Sequence, residues 1–131
     1  MRLEEVLEGT DVLTHLDAAH AAAWRATDPE LLELCRLRMA MLLDHRPTMT
    51  VTAVKRLSAV ADWPRSDQFT SVERACLAFT EQYTIDVAQV SDDLLSAMRR
   101  HLGDEGTADF VNALLVVEQR MRLELVWDRI L

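Results

Sequence analysis

At 131 residues the chain fits one domain, long enough to bury roughly two-thirds of the surface its unfolded form exposes. Half of its residues are hydrophobic but only 5% are aromatic, with three Gly and three Pro, a composition that points away from a β-sandwich and toward a few long helices joined by short loops. The formal net charge of -8, with thirteen scattered Arg and Lys55 as the only Lys, argues against a phosphate backbone as partner.

Met1 to Gly9 reads as a short helical arm with Leu3, Val6 and Leu7 on one face and Gly9 as its stop. Residues 1–10 are taken as this arm and 11–131 as the helical domain. The first long helix runs from Asp11 to Ala26, capped by Thr10 or Asp11, with Val12, Leu13, Leu16, Ala19, Ala23 and Trp24 as its apolar side. Asp28-Pro29-Glu30 is a helix start: a capping carboxylate, a proline that fits the first turn, and an acid at the positive dipole end. That helix is expected to reach Leu43 or Asp44, because Pro47 prevents simple continuation. Thr48 or Thr50 then caps a helix through Ala61.

Thr70-Ser71-Val72-Glu73 has the form of a capping box, and Val72, Cys76, Phe79 and Tyr83 continue the buried stripe behind it. Ser91-Asp92-Asp93 starts a helix that Gly103 stops, and a last helix spans roughly 107 to 130. The run Phe110 to Val117 is apolar on nearly every face, which implies a central place in the bundle or cover from a second subunit.

The segment Glu33-Leu34-Cys35-Arg36-Leu37-Arg38-Met39-Ala40 resembles the ELxRLRxA helix of the carboxymuconolactone decarboxylase and alkylhydroperoxidase D-like family. The likeness extends from about Leu16 to the C-terminus through helix order, Phe69 to Ala75, Asp86-Val87, Ser91-Asp92-Asp93 and Gln119 to Leu123. It implies an all-α bundle of five to six helices that associates as a homo-oligomer through the last helix and part of the ELCRLRMA helix. Redox members of that family carry Glu-x11-Cys-x2-Cys-x3-His, and counting from Glu33 puts His45, Thr48 and Thr52 at the two thiol positions and the histidine. One thiolate must attack and a second must resolve the product. Without either thiol, the resemblance implies a divergent member that has lost the dithiol peroxidase cycle.

The remaining candidates follow from that register. Glu33 is either an ion-pair partner of Arg36 one turn on, or a general base beside His45. His45, next to Asp44 and at an expected helix start, reads as a neutral imidazole able to accept a proton, or as part of a solvated connector. Arg38, Thr48 and Thr52 are the expected pocket residues, with Arg36, Arg38 and Arg46 available to an anionic ligand. Met39, Met41 and Met49 read as core or as lining of an adaptable pocket.

Cys35 falls ten residues before the first expected thiol position and reads as core packing, as does Cys76. His15 and His20 are five apart and fall on different faces, so no metal site is expected, and no cofactor. Trp24, Trp63 and Trp127 read as packing anchors. The chain shows neither a signal-like leader nor an apolar run of membrane-spanning length, so a cytoplasmic protein without membrane or nucleic-acid partners is expected. Three functions fit: a small-molecule binding protein, an acid–base enzyme using His45 or Glu33, and a non-catalytic protein-interaction module.

Overall fold

Helix starts and stops follow the local chemistry. Asp28 accepts a hydrogen bond from the Glu30 amide at 2.9 Å, with Pro29 in the first turn. Thr70 and Glu73 complete a reciprocal capping box, Glu73 N–H to Thr70 Oγ1 at 3.2 Å and Thr70 N–H to Glu73 Oε1 at 2.9 Å. Thr10 occupies its expected cap position, but its hydroxyl turns back to the Leu7 carbonyl at 2.6 Å.

The computed structural model describes residues 2–45, 56 and 58–130, with backbone alone at 130. Its helices are α1 Leu3–Val6, α2 Asp11–Ala26, α3 Pro29–Leu43, α4 Ser71–Ile85 and α5 Asp92–Ile130, with 3-10 turns at Trp63–Arg65 and Val87–Gln89. Residues 58–61 are helical. Most of the helix expected through Ala61 lies outside the described residues. The fold is the all-α bundle of five to six helices expected from the sequence, with no strand among the described residues. No helix of the described residues is long and apolar enough to cross a membrane.

The centre belongs to α3. Leu31, Leu32, Leu34, Cys35, Leu37, Met39 and Ala40 are all buried, and at 100° per residue they cover every side of the helix. It packs on α4 and α5, which also pack on each other, while α2 lies along α5. The last helix, by contrast, buries one stripe, Phe110, Ala113, Leu114, Val117 and Met121, and leaves Leu115 exposed. Of the two expectations for the last helix, a central place or cover from a second subunit, the central place falls to α3 instead. Val12, expected on the apolar side of α2, is also exposed.

Two glycines set the chain's bends. Gly9 (φ 76°) ends the turn after α1, and Gly103 (φ 73°, ψ 176°) breaks α5 into two limbs. The second limb resumes at 104 rather than 107, with the Thr107 hydroxyl donating to the Gly103 carbonyl at 2.6 Å.

Paired polar groups brace the core. Glu118 is buried between α4 and α5, accepting from the Tyr83 hydroxyl at 2.8 Å and from Arg122. Burial, reinforced by that carboxylate, pushes the Tyr83 phenol up to about 12. Arg74 fixes the loop before α4 by donating to the carbonyls of Trp63, Pro64 and Ser66. Arg56 reaches Glu73 at 3.0 Å and stacks on Phe69.

Burial works to raise the Glu73 carboxyl, but hydrogen bonds from Arg56 and Thr70 outweigh it and hold the group below its ordinary value. A carboxyl depressed in the folded state stabilises above its unfolded pKa of about 4.3, and that contribution is lost as pH falls through the folded value. We expect Glu73→Ala to lose about 1 kcal/mol at pH 7. The gap from the unmodified protein should narrow as pH falls below about 4, read by denaturant titration across that range.

Candidate functional site

A cavity of about 500 Å³ opens where α1, α2, the end of α3 and the second limb of α5 meet. On α5, Val117, Arg120, Met121, Glu124 and Asp128 line it, positions spaced by helical turns so that they share one face. The other walls come from His20 and Trp24 on α2, Glu33 and Arg36 on α3, His45 just after α3, and Arg2, Leu3 and Glu4 at α1.

Helix α3 ends at Asp44, whose left-handed backbone (φ 54°, ψ 43°) lets the His45 amide return to the Ala40 carbonyl at 2.9 Å. Asp tolerates that conformation better than most residues. The turn directs His45 across to α5, where its Nε2 lies 2.9 Å from Glu124 Oε2. The ring is 8% exposed, and Nδ1 has no partner among the described residues. His45 thus follows a helix's C-terminal turn, and Glu124 rather than Asp44 orients its ring. The helix start expected beyond it lies outside the described residues.

Glu33 and Arg36 form the expected pair one turn apart, with Arg36 Nε donating to Glu33 Oε2 at 2.8 Å and a second bond through Nη2. A two-pronged bond of this kind is what lets a guanidinium sit in a buried wall. Arg120 sits deeper in charge: Nη1 meets Asp17 at 2.8 Å, Nη2 meets Glu4 at 3.3 Å, and Nε lies 3.5 Å from Glu124. Three segments are thereby joined through one side chain. His20 accepts from the Trp24 indole at 3.3 Å. Burial, then the nearby positive charge of Arg120, lower its pKa, so its imidazole is neutral at pH 7.

Glu33 and His45 therefore share one cavity wall. Arg38 does not join them: it lies on another side of α3, bonded to Glu81 and reaching the Ala61 carbonyl at 3.4 Å. Thr48 and Thr52, with Arg46 and Met49, lie outside the described residues. Met39 is core and Met41 packs against it; the methionine that lines the cavity is Met121. Trp63 is buried beneath Arg74, while Trp24 is the tryptophan at the cavity.

Sequence reasoning missed His20, Arg120 and Glu124. The i,i+4 spacing of Arg120 and Glu124 was readable as an ion pair on a helix. That Glu124 meets a histidine 79 positions away was not.

Both cysteines are fully buried, away from the cavity lining, on the facing helices α3 and α4. Burial pushes the Cys76 thiol up to about 12. Burial, with Cys76 adding to it, raises Cys35 further, and a Thr80 hydrogen bond offsets this only in part. Neither is a thiolate at neutral pH, and a thiol without that charge is a poor nucleophile.

No family model matches the chain, and no curated protein matches it.

A thiol-reactive chromogenic disulfide should label neither cysteine in the native protein within minutes and both once guanidinium unfolds it. Rapid native labelling of either would contradict the packing described.

Proposed function

We propose that this protein is a small-molecule binding protein of the decarboxylase and hydroperoxidase-like type, divergent in having lost the redox dithiol. The observation that carries this reading is the cavity itself, which gathers Glu33, His45, Arg36 and Arg120 against an apolar side made by Trp24, Val117 and Met121. Its volume of about 500 Å³ falls in the range typical of ligand pockets, and most of its lining residues are charged or histidine, a wall suited to a ligand with polar groups of its own. The buried, protonated state of both thiols supports the loss of peroxidase chemistry.

A thermal-shift screen tests the reading. A binding class should raise the melting temperature of the unmodified protein, and the response should shrink in His45→Ala and Glu124→Gln. Thiol-dependent hydroperoxide turnover that disappears in Cys35→Ser would overturn it.

One contact favours a second reading, an acid–base enzyme. His45 Nε2 lies against the Glu124 carboxylate, a pair across which a proton can be shared, while Nδ1 is buried. On this reading the His45–Glu124 pair exchanges a proton with the substrate, and Arg36 or Arg120 meets developing negative charge. Turnover unchanged by His45→Ala would remove it.

Self-association through the last helix belongs to the same family-based proposal. Leu115 and Val126 are exposed on its outer face. Light scattering coupled to size exclusion should give a multiple of the chain mass, and a monomer at all concentrations would refute it.

A further inference from the structure

One wall of the cavity is the chain's own N-terminal arm, through Arg2, Leu3 and Glu4. Leu3 of α1 is 1% exposed although its helix has only four residues and no side-chain cap. The next residue, Glu4, places its carboxylate on Arg120 at 3.3 Å while remaining half exposed. So short a helix has no stability of its own in water. It stays on α5 through the Leu3 side chain and the Glu4 carboxylate, and Gly9 behind it (φ 76°) supplies a turn between it and α2.

What this segment presents is an aliphatic group beside a carboxylate. Around Arg120, three carboxylates already surround one guanidinium, and Glu124 also faces His45. An added anion would meet excess negative charge; an anion exchanged for Glu4 leaves the balance as it stands. Asp17 lies closer to Arg120 than Glu4 does and is fixed on a long helix, so Glu4 is the partner that yields.

We propose that the pocket takes a monocarboxylic acid with an apolar body, whose head replaces Glu4 on Arg120 and whose body displaces Leu3, lifting α1 from α5. The arm is an intramolecular competitor, and ligand binding and arm release are one exchange. This rests on the reading of the cavity as a ligand site.

The test is calorimetric titration with butanoate, hexanoate and octanoate, and with 1-hexanol and hexylamine as head-group controls. The acids should bind more tightly with chain length, and hexanoate should exceed both controls. Glu4→Gln, at a half-exposed position, should bind hexanoate about two- to fivefold more tightly, the equivalent of an ion pair of that exposure. Leu3→Ala should move affinity the same way, and Arg120→Met should erase the preference for the acid. Saturating hexanoate should also speed hydrogen exchange at the Val6 and Leu7 amides, which bond back to Arg2 and Leu3. The proposal is overturned if hexanol equals hexanoate, if Glu4→Gln leaves hexanoate affinity unchanged or weakens it, or if those amides are unaffected. Binding of hexanol or hexylamine but not the acid would end this proposal and leave the pocket reading standing. Binding of none would end it as well, with the wider screen then deciding the pocket.

Discussion

The Arg120 guanidinium has to be satisfied inside a wall it cannot leave, and much of the site is arranged around that demand. It draws Asp17 from α2, Glu4 from α1 and Glu124 from its own helix. Glu124 in turn holds His45, which brings the end of α3 to α5. A charge largely removed from water is costly unless every partner is in place. The constraint therefore fixes three segments relative to one helix face.

A second demand comes from α3, which is surrounded on all sides. A helix in that position is expected to be apolar, yet it carries Glu33 and Arg36 side by side. They are tolerated because they satisfy each other through two hydrogen bonds and because the cavity lets their outer edges meet solvent. The cysteines on the same helix and on α4 have no such opening, and their chemistry is closed off accordingly. On α3 the charged groups that face the pocket are Glu33 and Arg36, while Arg38 is neutralised on another side by Glu81.

Much of the fold was legible because caps and stops are local. Asp28-Pro29, Thr70 to Glu73, Gly9 and Gly103 each bend or start the chain through their own backbone and side chain, and each acts where the sequence placed it. The site was legible in part. Glu33 with Arg36 is a contact one turn long, readable from spacing alone. The partners from α1, α2 and α5 were not readable, since they depend on how distant helices pack. The same limit explains the exchange of roles between α3 and the last helix. An apolar run shows that a helix can be buried on several sides, but not which helix the others choose to surround.

The backbone of Gly103 divides α5 into a limb at 92–102 and a limb at 104–130 that carries the pocket face. An unbroken helix would rotate every later side chain by 100° for each residue inserted or deleted upstream. A non-helical joint at 103 interrupts that propagation. The azimuth of Arg120, Glu124 and Asp128 is therefore set by the second limb's own packing rather than by the helical phase of residues 92–102.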